Sequence, residues 1–199
     1  MDAVKFYEIK KEIRILGIDD SSFNLFKDKK TILIGAIFRG GKWLDGVLKT
    51  EIEIDGCDAT EKIIGMANNT RHKDLRVIML DGITFGGFNT VNIKEIYERT
   101  GLCVIVVVRK LPDFEKIHAV IKKYEYYEER RNNIKIAGVP MKVETRKDNF
   151  IYIQCCGIKF SDAEYIVKLT STRSLIPEPI RVAHLIASGV ALGESRGGA

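Results

Sequence analysis

Apolar positions fall into short runs along the first fifty residues, and the runs read as strands. Glu12 to Asp19 carries β-branched Ile13, Ile15 and Ile18, broken at Gly17. Thr31 to Phe38 is a second apolar strand. Arg39-Gly-Gly-Lys42 has the composition of a hairpin turn. Trp43 to Ile54 continues as a third strand, with Glu51 and Glu53 alternating against apolar neighbours. Three strands joined by short turns are expected to be antiparallel neighbours.

The period then changes. Asp58-Ala-Thr-Glu61 is a capping-box pattern that predicts a helix to about Asn68. Arg76 to Leu80 is short and apolar, as a strand buried on both faces should be, and Asp81 ends it. Thr84 to Thr90 is a Gly-rich loop. Asn92-x-x-Glu95 opens another helix, which stops at Gly101. Leu102 to Val108 is a second buried strand, and Pro112-Asp113 starts a helix to about Tyr124. Helices between apolar strands imply parallel crossovers. Farther on, Ile134-Lys-Ile and Met141-Lys-Val alternate around Gly138-Val-Pro140, which predicts a hairpin within 124–153, and Phe150 to Cys155 is a further strand. Ser161-Asp-Ala-Glu164 is a third capping box. Pro177-Glu-Pro179 starts the last helix, with Ile180, Ala183, His184, Ala187 and Val190 on one face. The tail after Gly193 is small and polar and is expected to fray.

These elements fit an α/β fold. Three antiparallel strands precede parallel strands with helical crossovers, helices flank the mixed sheet, and an extra C-terminal hairpin is appended. The 199 residues suit one domain over 1–199, with 124–153 as an elaboration. The longest apolar run is seven residues, Leu102 to Val108, whereas a membrane helix needs ~20. The opening Met-Asp-Ala-Val-Lys lacks a signal-peptide pattern, so a cytoplasmic location is expected. Cys57, Cys103, Cys155 and Cys156 show no zinc-ligand spacing and read as reduced thiols. The net charge of +5 is mild, but Arg109 to Asn149 holds eleven Lys/Arg against seven Asp/Glu. Such a segment, with Arg130, Arg131 and Lys135 in it, suits either a polyanion or plain solvation.

Two acids stand out by position. Asp19 follows the first strand and Asp81 the fourth, and ligand sites of open sheets collect at such C-terminal ends. Two carboxylates facing one crevice repel and favour a cation, Mg²⁺ or Mn²⁺ for oxygen ligands. Asp also ends strands and starts turns for local reasons. Asp20 and Asp162 are the candidate extra ligands, although Asp162 equally suits the first turn of a helix. Arg109 and Lys110 end the fifth strand and could hold a phosphate. The loop with Gly86, Gly87, Phe88 and Asn89 offers backbone for close approach and a ring for stacking on a base, and it also suits a tight turn with its phenylalanines in the core. His72, His118 and His184 lack ligand spacing and read as non-catalytic.

Several segments resemble a known family. Gly17-Ile-Asp19 resembles the Gly-Val-Asp ending the first strand of endonuclease V, a ribonuclease H-like enzyme. Asp74-Leu-Arg-Val-Ile-Met-Leu-Asp81-Gly82 is similar to its Asp-Leu…Val-Asp-Gly motif. Val104-Ile-Val-Val-Val-Arg109 resembles its strand ending in an active-site Lys, and Pro177-Glu-Pro-Ile-Arg181 its Pro-Glu-Pro-Thr-Arg segment. More closely, nearly the whole chain resembles an archaeal domain-of-unknown-function family, number ninety-nine, distantly related to endonuclease V. The resemblance implies a metal-dependent nuclease acting on DNA or RNA phosphodiesters, at modified bases among others, with Asp19 and Asp81 as catalytic metal ligands. Departures imply an alternative, an inactive nucleic-acid-binding or assembly module that keeps the fold. The strand-end Glu is missing, leaving Asp58 or Glu61 nearest. The Pro-Tyr-Ile-Pro loop has no counterpart, and the C-terminal active-site His falls on Ile158.

Overall fold

The computed structural model describes Val4, Phe6 and residues 8–195. Its elements are β1 (Arg14–Asp20), β2 (Lys30–Arg39), β3 (Trp43–Glu53), α1 (Ala59–Asn69), β4 (Val77–Asp81), β5 (Thr84–Phe85), β6 (Asn89–Thr90), α2 (Ile93–Thr100), β7 (Cys103–Val108), α3 (Phe114–Ile121), α4 (Tyr127–Ala137), β8 (Met141–Arg146), β9 (Asn149–Cys156), α5 (Phe160–Thr170) and α6 (Glu178–Leu192). Seven strands form one sheet, ordered β3-β2-β1-β4-β7-β9-β8, while β5 and β6 make a separate ribbon. β1, β2 and β3 are antiparallel neighbours. β4 runs parallel to β1, and β7 parallel to β4. β9 returns antiparallel to β7 and pairs with β8 at the edge.

The apolar runs of β4 and β7 are continuous because both sheet faces are covered, and Val77, Ile78, Met79 and Leu80 are all fully buried. Alternation then sorts side chains by face. Leu16, Ile18, Ile78 and Leu80 pack with residues of α1 and α2. Ile15, Val77 and Met79 pack on the other face with Ala163 and Ile166 of α5 and Ile180 of α6. α6 also lays Ala183 and Ala187 against Ile34, Ala36 and Phe38 of β2. Its N-terminus comes so close to β1 that a Cβ at Gly17 would fall inside the Pro179 backbone. The glycine in an otherwise β-branched strand therefore marks the place where helix and sheet touch.

The structure corrects three expectations. The hairpin placed around Gly138 is not one, because 127–137 is helix α4. Its buried residues Arg130, Asn133, Ile134 and Ala137 follow helical spacing, and Gly138, at φ 75°, ends it. The true hairpin is β8–β9, an edge of the main sheet rather than an addition outside it. Of the three capping boxes, Asn92 caps its helix by accepting from the Glu95 N–H at 3.0 Å. Asp58 makes no cap bond, and α5 starts at Phe160, ahead of Ser161, with no side-chain cap. The Gly-rich loop 84–90 is the β5–β6 ribbon. The expected fraying falls partly on residues 196–199, outside the described residues. All four cysteines are free. Among the described residues no helix is long and apolar enough to cross a membrane.

Candidate metal and nuclease site

β1 and β4 are parallel neighbours with Ile18 opposite Leu80, so Asp19 and Asp81 come next to each other at the C-terminal ends. Both lie in alternation with Ile15 and with Val77 and Met79, so both point to the α5/α6 face. There α6 delivers a third group. His184 Nδ1 lies 2.7 Å from Asp19 Oδ2, and Asp19 is only 5% exposed. Asp19, Asp81 and His184 each offer one ligand atom, all within 4.8 Å of one another. The histidine read from the sequence as lacking ligand spacing thus stands against Asp19, within reach of both carboxylates. The imidazole stands 165 residues from its partner, so no ligand spacing could reveal it. The available signal was physical: Gly17 as a contact point and a helix face of Ile180, Ala183 and Ala187 with a histidine among them.

The electrostatics fit a cation. Burial pushes the Asp81 carboxyl from 3.8 up to about 7, and the neighbouring Asp19 charge adds to this, while Arg109 and His184 oppose it. The hydrogen bond to Asp19 holds the His184 ring above its ordinary 6.5 against the opposing effect of burial. A buried carboxylate pair at one strand end is costly without a positive partner.

Asp20 occupies a different place. Alternation sends it to the opposite sheet face, where its Oδ2 accepts the Gly86 N–H at 2.7 Å. Burial raises its pKa to about 6 despite that bond. It therefore anchors the β5–β6 ribbon and is not part of the ligand group. Asp55 holds the same ribbon tip, donating its N–H to Gly86 O at 2.8 Å and accepting the Phe88 N–H at 2.8 Å. Arg130, 1% exposed, donates from Nε to Phe88 O at 2.7 Å and from Nη2 to Asp55 O and Gly56 O.

The substrate candidates divide accordingly. Gly86 is buried with both backbone polar groups engaged. Asn89 is 0% exposed, donating to Glu53 O and Asp58 and accepting the Ala59 N–H. Their polar groups are taken up in holding the loop and the start of α1. Gly87 and Phe88 are half-exposed, and the Phe88 ring meets Tyr124 at 5.1 Å between centroids. Phe85 is the phenylalanine that tucks into the core. Arg109 is exposed and acts electrostatically on Asp81 and His184; Lys110 is exposed at the same strand end. Asp162 is a correction. β9 runs antiparallel to β7 and ends opposite Val104, at the start of β7, so α5 begins at the far end of the sheet from Asp81. Ile158 is buried at that same far end. Glu61 is bound to Arg99, and Asp58 accepts from Asn89 and the Glu53 N–H, so neither joins the site. Arg130 is no part of a solvent-facing basic patch either.

Comparison with known proteins places this geometry. The UPF0215 protein of Methanothermobacter thermautotrophicus is 55% identical over 100% of this chain and 98% of its own length. The crystal structure of a protein of unknown function from Archaeoglobus fulgidus is 40% identical, covers 89% of this chain and 98% of that one, and superposes with a TM-score of 0.80. Endonuclease V of Ciona intestinalis, solved with a 24mer DNA containing an inosine followed by a ribo-adenosine, is 15% identical. It covers 86% of this chain and 82% of that one with a TM-score of 0.55, a likeness of fold that makes the sheet ribonuclease H-like. Over residues 11–191 the sequence matches the endonuclease dU family, and with side-by-side Asp19 and Asp81 on that sheet the chain belongs to this family.

Proposed function

We propose that the protein is a metal-dependent endonuclease that cuts a DNA or RNA phosphodiester near a modified base, with deoxyuridine in DNA as the first substrate to test. The observation that carries this reading is the convergence of Asp19, Asp81 and His184 within 4.8 Å at the end of parallel strands. The family's name and the inosine-containing DNA in the Ciona structure supply the substrate class. Two carboxylates and one imidazole form a mixed oxygen and nitrogen donor set, which suits Mn²⁺ and admits Mg²⁺. Such an ion supplies activation of a water and charge neutralisation on the leaving oxygen.

The chain's own residues do the rest. His184 both offers the nitrogen donor of the group and, through its Nδ1 contact, steadies the Asp19 carboxylate beside it. Arg109, exposed beside Asp81, is placed to attract a phosphate. The Phe88 ring, on a ribbon tip held by Asp20, Asp55 and Arg130, and the Tyr124 ring that meets it from the segment between α3 and α4 offer an apolar face for a base. The histidine weakens the alternative of an inactive binding module, which rested on missing site residues.

The test is cleavage of end-labelled single and double strands carrying uracil, hypoxanthine or ordinary bases, with Mg²⁺ or Mn²⁺. Wild type should nick the modified strands, and Asp19→Asn and Asp81→Asn should lose roughly 100-fold or more in rate, the scale of a lost metal function. Equal cleavage by the variants would remove the site from these residues. No cleavage by wild type under any of these conditions would leave the binding-module reading.

A further inference from the structure

The β1–β2 loop leaves the sheet directly after Asp20 and ends in an apolar tip. Phe26 is 98% exposed, the most exposed large apolar side chain among the described residues, and Leu25 beside it is 61% exposed. The tip is shaped by its own polar groups. Asn24 Oδ1 accepts the Phe26 N–H at 2.9 Å, and Asn24 O accepts from Lys27 and Asp28 at 3.1 and 2.9 Å. Asp28 Oδ2 accepts the Asn24 N–H at 2.7 Å. The loop base is tied down as well: Ser21 N–H donates to Ile32 O, and Ile54 N–H donates to Lys29 O, both at 2.9 Å. The second bond joins it to the corner from which Asp55 holds Phe88. The tip thus stands at the same end of the sheet as Asp19 and Asp81, the C-terminal end of β1 and β4.

Lys27, Lys29 and Lys30 follow the tip along the chain, all exposed and in no ion pair among the described residues, with the exposed Asp28 between them and Glu53 opposite Lys30 across the β2–β3 pair. An exposed apolar point followed by three lysines and one aspartate over 27–30 takes no part in the core and carries a net positive charge. A second copy of the chain would bring the same three cations against it. A polyanion with stackable apolar layers satisfies both parts, since lysines replace counterions on phosphates and an apolar side chain can wedge between base steps.

We propose that Phe26, with Leu25, inserts between base pairs of a duplex lying across the site, while Lys27, Lys29 and Lys30 hold the flanking phosphates. This rests on the nuclease reading above. It adds how a base stacked within a duplex is released toward the Phe88 and Tyr124 rings, since a base read or processed individually must first leave the stack.

The test uses the full chain in EDTA and a synthetic duplex with one deoxyuridine, in which 2-aminopurine replaces each neighbouring base in turn. Unstacking raises its fluorescence. Wild type should raise the emission at one step severalfold. Phe26→Ala, at a site too exposed to affect folding, should abolish the rise and reduce the ratio of duplex to single-strand affinity about tenfold, the size of one lost stacking contact. Removing the three lysines together should lessen the salt slope of binding. Saturated wild-type complex with no rise, or a rise that Phe26→Ala keeps in full, would overturn the proposal. So would a wild-type dimer that Phe26→Ala turns into a monomer. Cleavage of the same duplex with Mn²⁺ is scored separately. Its absence here and on every strand and metal named above would refute the nuclease reading, whereas cleavage without the fluorescence rise would refute the tip alone.

Discussion

Asp81→Asn should make the metal-free protein more stable, and by an amount that depends on pH. Burial beside Asp19 lifts the Asp81 carboxyl from 3.8 to about 7. At about 1.4 kcal/mol for each tenfold change in proton affinity, the ionised form is disfavoured by roughly 4 kcal/mol in the folded protein. Screening at the half-buried rim reduces this to about 2–3 kcal/mol. The sign follows from linkage. Below about pH 4 the carboxyl is protonated in both folded and unfolded chains, and nothing is lost. As pH rises toward 7 the unfolded chain releases the proton first, so the native state loses stability until its own carboxyl ionises. Asparagine has the same shape and does not titrate. The gap between variant and wild type should therefore be about a third of its full size at pH 5 and complete at pH 8. For a chain of this length it corresponds to a Tm gain of about 5–10 °C. Thermal unfolding in EDTA at the two pH values measures it, and Mn²⁺ at pH 8 should narrow the gap by stabilising wild type alone. A variant no more stable than wild type at pH 8, or equally stabilised at both, would mean that the Asp81 charge is not disfavoured in the folded protein.

Gly17→Ala drives a Cβ into the Pro179 backbone, so α6 must move off β1 and carry His184 away from Asp19; a loss of about 3 kcal/mol in urea unfolding and weakened Mn²⁺ binding are expected. Arg130→Ala strips donors from Phe88 O, Asp55 O and Gly56 O and leaves a cavity, costing about 3 kcal/mol or more. Amide exchange at Gly87 and Phe88 should speed up in that variant well before global unfolding. Asp162→Asn should leave Mn²⁺ affinity within about twofold of wild type, because α5 starts at the far end of the sheet.

The parts of the fold that the sequence made legible are those where one physical demand dominates. Arg76 to Leu80 and Leu102 to Val108 are apolar runs because both sheet faces are covered, whereas a strand with one face in water would alternate. Asp19 and Asp81 could be paired because strand order and side-chain alternation are both properties of the backbone. The same alternation, applied to adjacent residues, separates Asp19 from Asp20 and would have removed Asp20 from the ligands. Helix α4 is hidden from a local pattern because Ile134-Lys-Ile136 alternates, whereas the deciding pattern, Arg130 to Ala137, places a buried arginine on the core face. That arginine answers to backbone carbonyls of a ribbon more than forty residues away, and no local pattern encodes such a contact. His184 belongs to the same class. Its partner is fixed by the approach of α6 to Gly17, so the sequence offers the glycine and the apolar helix face but not the contact itself.

On the function proposed above, Asp19, Asp81 and His184 together hold a divalent cation. Titration of the protein with Mn²⁺ at pH 8, followed by the loss of the free-ion paramagnetic resonance signal, tests it most directly. Wild type should take up Mn²⁺ saturably, Asp19→Asn and Asp81→Asn should not, and His184→Ala should bind about 10–100-fold more weakly. Mn²⁺ binding of equal strength in wild type and all three variants, or none in wild type with or without a deoxyuridine strand, would contradict it.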